Sequence, residues 1–493
     1  MKKTLLSAAA LLMALTACNK EPVGGSAVDN GSVYMQFSVN MLSTRSQTDD
    51  KGDSNSNANP DTEVGLNKEN TISTVDIALV GPTTVVAANV TPTAANASTY
   101  VAKFDTKDLV ANTTYKVYIY ANCSAPAAVD VDAVSEASVE AMTADNKFWM
   151  TNAYAAADVT LPKDLAAYTQ PNTPLSLGSH TVERSMARFD YKAKNTDNVY
   201  DMGAGLRLTL TEAALINQSK AHYVFRRVTT SDTDSTPVVG GIETPNNWVI
   251  DTDWESKTRA GFNAQLKVPA SWSWTSLSSL RTDDNYDGDY KIWCYAKENT
   301  VPSIAAQKHD VSTGVVFKAE ITAGETASAE VKAALASGKR IYVFNNKLYG
   351  TWADVKTAAV AGTDANLQAA YNQAAAGLEA DVEPAAAAAA AAGFTGYSAV
   401  DGKYYTYYYY WNRHNDNRDP YNMGIMEFAV VRNNVYKLCV DSISKFGHPD
   451  PTNPTDPDPD PVKPDVPDES VNYYFTVTVK VLPWTVRINN IEF

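Results

Sequence analysis

Cysteine is scarce in this chain. Only Cys18, Cys123, Cys294 and Cys439 occur, with no CxxC pair, so neither a disulfide framework nor a tetrahedral zinc site fits. Histidine is almost as sparse. His180, His222, His309, His414 and His448 stand far apart, and no HExxH, GxSxG, Walker or strand–GxGxxG–helix pattern occurs. Nothing therefore nominates a catalytic residue, a metal centre or a cofactor, and the chain does not read as an enzyme. Beyond the N-terminus no run approaches the ~18 apolar residues of a membrane-spanning helix. Basic charge is in deficit, with 41 Lys and Arg against 56 Asp and Glu and a net charge of −15. Residues 1–45 hold four basic and two acidic side chains, so the remainder carries −17 and no nucleic acid is expected as a partner.

What is present is the composition of a folded β protein. Hydrophobic residues make up 44% of the 493, with 27 tyrosines, enough for two β-rich domains or one large one. The start, Met1-Lys2-Lys3 followed by an apolar stretch from Leu5 to Ala14 and then Leu15-Thr16-Ala17-Cys18, has the form of an export signal ending in a lipobox. The apolar stretch is too short to span a bilayer, whereas acyl chains on Cys18 would anchor a precursor durably. Residues 1–17 read as a signal peptide, and the membrane is a partner only through that lipid.

The two ends of the chain carry similar strands. Val33, Met35, Phe37, Val39 and Met41 alternate with Ser32, Gln36, Ser38 and Asn40, the pattern of a strand with one buried face. Near the other end Tyr473, Phe475, Val477, Val479 and Val481 alternate with Asn472, Thr476, Thr478 and Lys480, so five apolar positions match five. Pro483 interrupts this ladder, and Trp484 continues on the same or a shifted face. Their flanks differ. After the first strand, Arg45-Ser46 opens a polar, aperiodic run to Asp61 that proteases would reach, with Arg45 the natural cut site. Before the last strand, residues 448–470 form a Pro/Asp spacer that resists helix and sheet.

Two readings follow. In the simpler one, the end strands pair in one sheet of their own molecule. In the other, cutting after Arg45 frees the first strand, and the tail of another copy fills the vacated groove through ladder hydrogen bonds and alternate side chains. Five apolar side chains at ~1.5–3 kcal/mol each give roughly 7–15 kcal/mol of gross stabilisation for such a swap.

Between the ends, residues 46–180 read as one β-domain, with runs at Thr71 to Val80, Thr114 to Ala121 and Phe148 to Thr151. Residues 181–447 read as a second, with runs at Arg184 to Lys192, Leu206 to Leu210, His222 to Val228, Lys291 to Ala296, Val315 to Ile321, Ile341 to Phe344 and Phe428 to Val440. An alanine-rich insertion, 353–392, reads as a surface helical excursion, with a helix from Asp364 to Leu378 capped at Thr363. The tyrosine run Tyr404 to Trp411 is strand-like, and the following 412–420 loop, despite Asn415, Asp416, Asn417 and Asp419, lacks EF-hand spacing and reads as structural.

The stretch KYYTYYYYWNRHNDNRDPYNMGIMEFAVVRNNVYKLCVDSISKFGHP (Lys403 to Pro449), the DPDP spacer and the closing VTVKVLPWTVRINNIEF resemble the Mfa1 family of major fimbrial (fimbrillin) subunits, the type V pilus stalk pilins of the Bacteroides group. Weaker echoes are VERSMARFDYKA, LTLTEAALINQSKAHYVFR, NWVIDTDWE and YVFNNKLYGTW. The resemblance implies a mainly β fold of two transthyretin-like β-sandwich domains, lipidation at Cys18, removal of the 18–45 propeptide by an arginine-specific protease, and a donor strand within 471–493. It also implies partners: other copies of the chain, accessory tip and anchor subunits, and host or bacterial surface receptors. A tip or anchor subunit is the alternative within that class. A monomeric glycan-binding surface lipoprotein is the alternative outside it.

Overall fold

A computed structural model describes residues 31–41, 65–94, 97–194, 196–229, 238–239, 248–252, 269–280, 290–300, 311–379, 382–414, 426–451 and 475–483, the last segment as backbone only. Cys18, Arg45, Ser46, residues 452–470 of the Pro/Asp spacer, Asn415 to Asp419, Tyr473 and Trp484 lie outside the described residues.

The fold is mainly β, as composition and periodicity lead one to expect. Among the described residues nine strands precede Ser185: β1 (Ser32–Met41), β2 (Val75–Val80), β3 (Thr84–Val90), β4 (Thr99–Asp105), β5 (Thr114–Ala121), β6 (Val134–Ser135), β7 (Met150–Asn152), β8 (Ala157–Thr160) and β9 (Leu175–Arg184). One sheet runs β3-β2-β5-β7-β9-β1-β4, with β8 on β5. Period-two alternation decides the faces. Val75, Ile77 and Leu79 of β2 and Tyr115, Val117 and Ile119 of β5 enter one core. Ala78, Tyr118 and Tyr120 turn to the other face, where Phe225 covers them. The expected strand from Thr71 is shorter than its apolar run, because Asn67–Asn70 forms a helical turn, α1, just before it.

After Met186 come β10 (Ala187–Ala193), β11 (Val199–Gly203), β12 (Leu206–Ile216), β13 (His222–Tyr223), β14 (Arg227–Thr229), β15 (Val238–Val239), β16 (Trp248–Ile250), β17 (Thr275–Ser276), β18 (Lys291–Ala296), β19 (Gly314–Ala323), β20 (Ile341–Phe344), β21 (Lys347–Tyr349), β22 (Thr395–Tyr397), β23 (Tyr404–Trp411), β24 (Asn434–Ile443) and β25 (Phe475–Pro483). The sheet β18-β10-β24-β25 packs on β11-β12-β19-β23 as a sandwich. Phe189, Tyr436 and Leu438 from one layer meet Leu208, Phe317, Tyr404 and Tyr408 from the other. Along β23 the alternation splits the tyrosine run. Tyr404, Tyr408 and Tyr410 face this core, while Tyr407 and Tyr409 join Trp272, Trp274 and Trp411 on the outer face.

Three expectations are adjusted. The run Arg184 to Lys192 is two strands rather than one. The chain changes sheets at Ser185-Met186, where the Ser185 N–H donates to the Trp149 carbonyl and the Met186 carbonyl accepts from the Asn433 N–H. The run Phe428 to Val440 becomes strand only from Asn434 onwards, and then reaches Ile443. The helix expected from Asp364 to Leu378 is Ala365–Ala374, capped by Asp364, whose carboxylate accepts from the Asn366 and Leu367 N–H groups. That helix, with Trp352–Val360 and Ala386–Ala391, packs on β20–β22 around Tyr342, Phe344, Trp352, Leu367 and Phe394. The alanine-rich segment thus contributes to a small core of its own.

The two halves meet across a buried charge network. Glu69 in α1 is fully buried and accepts from the Leu66 N–H (2.7 Å), the Arg188 guanidinium (2.7 Å) and the Tyr295 hydroxyl (2.7 Å). Arg188 also binds Asp190 at 3.0 Å. Arg184 reaches the Glu69 carbonyl, Asn70 and Asn433. Ions this buried are held only because each finds hydrogen-bonded partners, which ties the first sheet to β10, β18 and the turn before β24.

Candidate strand-exchange site

β1 is an internal strand between partners distant in sequence. It pairs antiparallel with β4 from Ser32↔Asp105 to Ser38↔Thr99, and parallel with β9 from Met35↔Leu175 to Met41↔Val182. Val33 and Met35 are 0% exposed, Phe37 1% and Val39 3%. Met41 is half-buried against the same core. The alternation read from sequence is therefore the alternation the fold uses, and Val33, Met35, Phe37, Val39 and Met41 all face one apolar interior.

The walls of this slot were not named from the sequence. Tyr100, Ala102 and Phe104 of β4 and Leu177 and Val182 of β9 line it. Phe37 stacks on Tyr100 with centroids 5.4 Å apart, and meets the edge of His180 at 6.5 Å. The alternation of Tyr100, Ala102 and Phe104 was available as a signal. β9 was obscured by Gly178 and His180, which break the apolar run. Gly178 sits at φ +86° where the β1–β9 register shifts, a bulge conformation that glycine adopts without strain. Burial lowers the His180 pKa against an opposing backbone hydrogen bond with Leu177, and burial raises that of Tyr100, so both rings stay neutral in the slot. On the outer side Asn40 donates to Ser179 Oγ (2.7 Å) and Lys103 lies over the Tyr34 ring.

β1 is also the joint between β4 and the rest of the sheet. Among the described residues, β4 has no second strand ladder, only the isolated bridge Pro92–Tyr100 and the Thr93 N–H donated to the Thr99 carbonyl. Removing β1 would uncover four fully buried side chains, roughly 6–12 kcal/mol of burial, and leave two backbone edges unpaired.

The closing strand sits elsewhere. β25 pairs antiparallel with β24 from Asn434↔Pro483 to Ile443↔Phe475 and forms the end of its sheet. The two end strands thus do not pair with each other, and the simpler reading of their likeness does not hold. β1 has two ladders, whereas β25, carrying Phe475, Val477, Val479 and Val481, has one. Its last residue is Pro483, which has no N–H to offer the ladder.

No other chemistry competes for the role. Cys123, Cys294 and Cys439 are free thiols, and burial pushes Cys123 up to about 12 and Cys439 up to about 11, far from a reactive thiolate. Among the described residues no group of three His, Cys, Asp or Glu side chains could hold a metal ion. Trp272, Trp352 and Trp411 are buried in hydrophobic clusters.

Comparison with known proteins bears on β23 to β25. Residues 403–490 match the family model described as major fimbrial subunit protein type IV, fimbrillin, C-terminal. This part of the chain is similar to the C-terminal region of fimbrillins. It supplies a strand to each layer of the second sandwich, and the closing strand. Fimbrillins are structural adhesion proteins, not enzymes. No curated protein matches. Among solved structures, a putative cell adhesion protein from Parabacteroides distasonis is similar at 10% identity and TM-score 0.40, over 94% of this chain and 100% of that one. A fimbrilin from Porphyromonas gingivalis W83 is similar at 13% identity and TM-score 0.38, over 94% and 100%. The tip fimbrial protein Mfa3 from Porphyromonas gingivalis is similar at 9% identity and TM-score 0.36, over 91% and 99%.

Proposed function

We propose that this chain is the precursor of a stalk subunit of a cell-surface fimbria, built by strand exchange between copies. Cys18 carries the lipid that holds the precursor at the outer membrane. Cleavage between Arg45 and Ser46 by an arginine-specific protease severs the covalent link to β1, which leaves residues 46–180 as an open sandwich and 181–447 as a closed one. The spacer at 448–470 lets the 471–493 segment reach a neighbour. One copy's tail then fills the next copy's slot, and the chain joins tip and anchor subunits at the filament ends.

The observation that carries this reading is the contrast between the two strand seats. β1 fills a two-ladder seat lined by apolar side chains, while the closing strand occupies a one-ladder seat at a sheet edge. A tail that moves to a vacated two-ladder seat gains a second set of ladder hydrogen bonds, which favours polymer over monomer. Deleting Tyr473 to Phe493 is expected to abolish SDS-resistant polymers, and Arg45→Ala to leave the precursor monomeric. Cys18→Ala should lose palmitate labelling. Polymers that survive both of the first two changes would overturn the proposal.

A further inference from the structure

The slot does more than accept an alternating strand, because its subsites differ in size. A tail can present its apolar face in more than one register, since a shift of two residues preserves the face while a shift of one inverts it. Matching the five apolar positions in order sets Tyr473 at Val33 and Val481 at Met41. Sliding the tail by two sets Val471 at Val33, Tyr473 at Met35, Phe475 at Phe37, Val477 at Val39 and Val479 at Met41.

Side-chain volume separates these registers. The Phe37 subsite is built for a ring, with Tyr100 stacked below it at an interplanar angle of 16° and His180 at its edge. The in-order register puts Val477 there and leaves a void against Tyr100. It also forces Tyr473 into the place of Val33 and Phe475 into that of Met35, two overpacked positions in a fully buried row. The shifted register replaces Phe37 by Phe475, Val33 by Val471 and Val39 by Val477. Only Tyr473, larger than Met35, asks the slot to give. Without gaps, SVYMQFSVNM at 32–41 then lies over SVNYYFTVTV at 470–479, identical at Ser470, Val471, Phe475 and Val477, with Thr476 in place of Ser38.

We propose that the tail of a second copy enters the slot antiparallel to β4 and parallel to β9, with Phe475 on Tyr100 as the residue that fixes register. This rests on the strand-exchange reading above and specifies its geometry. The outward positions report the register. Ser38 faces Thr99 across the β1–β4 ladder, and the neighbouring Val39 N–H donates to Ser98, which makes 38↔99 a close, non-hydrogen-bonded pair suited to a disulfide. Thr476 takes the place of Ser38 in the shifted register and Thr478 takes it in the in-order register.

The test uses mature, assembled protein carrying Thr99→Cys with Thr476→Cys, or Thr99→Cys with Thr478→Cys, and the parent as control. After mild oxidation, boiled non-reducing gels should show a covalent ladder for the 99/476 pair only, one that collapses on reduction. A ladder for 99/478 only would overturn the register and keep the exchange. No covalent ladder from either pair in filaments that form normally would overturn the placement of the tail beside β4. Failure of the parent itself to polymerise would overturn strand exchange and the register with it.

Discussion

Truncating Phe37 to alanine separates the slot from the tail that is proposed to fill it. Phe37 is 1% exposed and stacked on Tyr100, and among the described residues the strand bearing it pairs with both β4 and β9. Removing a buried phenylalanine costs about 3–5 kcal/mol. For a domain of 150–250 residues each kcal/mol shifts Tm by about 2–4 °C, so the uncut precursor should melt roughly 6–20 °C lower. In the proposed maturation, residue 37 leaves with the propeptide, so filaments assembled from cleaved Phe37→Ala precursor should dissolve in hot SDS at the same temperature as the parent. Phe475→Ala should do the reverse, leaving the first sandwich of the precursor near its parental melt and lowering the filament's dissolution temperature. Calorimetry of the precursor and a temperature series of unboiled gels read the two quantities. A Phe37→Ala precursor within about 1 kcal/mol of the parent would refute the account of the slot. Equal effects on precursor and filament would refute the departure of β1.

Arg188→Met should destabilise by about 3–5 kcal/mol in denaturant titration, because it leaves the buried carboxylates of Glu69 and Asp190 without the guanidinium they share, whereas Glu69→Gln, which keeps the Arg188–Asp190 pair, should cost less. Burial first, then Arg432 and Lys297, holds His222 down to about 3, so the unfolded chain binds a proton below pH ~6.5 that the folded one refuses. Stability should therefore be full above pH 6.5 and fall by up to a few kcal/mol between pH 6.5 and 3, and His222→Gln should flatten that part of the curve measured by thermal melts. Gly178→Ala meets no atom within 4 Å and should cost only about 1 kcal/mol of backbone strain, whereas a Cβ at Gly205 would lie 2.3 Å from Ala327 backbone and should prevent soluble expression.

Legibility followed the range of the interactions. β1 and the strand in the tyrosine run of β23 were readable because strand character is a local signal, but which tyrosines face the core was not, since nearly every position there carries the same ring. β9 was missed where Gly178 breaks the alternation for a bulge, and β10 was fused to it because no punctuation marks Ser185-Met186. That switch is enforced by hydrogen bonds to Trp149 and Asn433, residues distant in the chain. Glu69 and Arg188 gave no signal at all, being ordinary surface-type residues until the two halves bring them together.

By itself the sequence determined that each end carries a strand with alternating apolar positions, because that depends only on residue order along a short stretch of backbone. Only the tertiary structure decided that those strands occupy different sheets, one held on both sides and the other on one side. Neighbours in a sheet are chosen by long-range pairing and by the size of the pocket each side chain meets, and neither quantity is written in any short stretch of the chain.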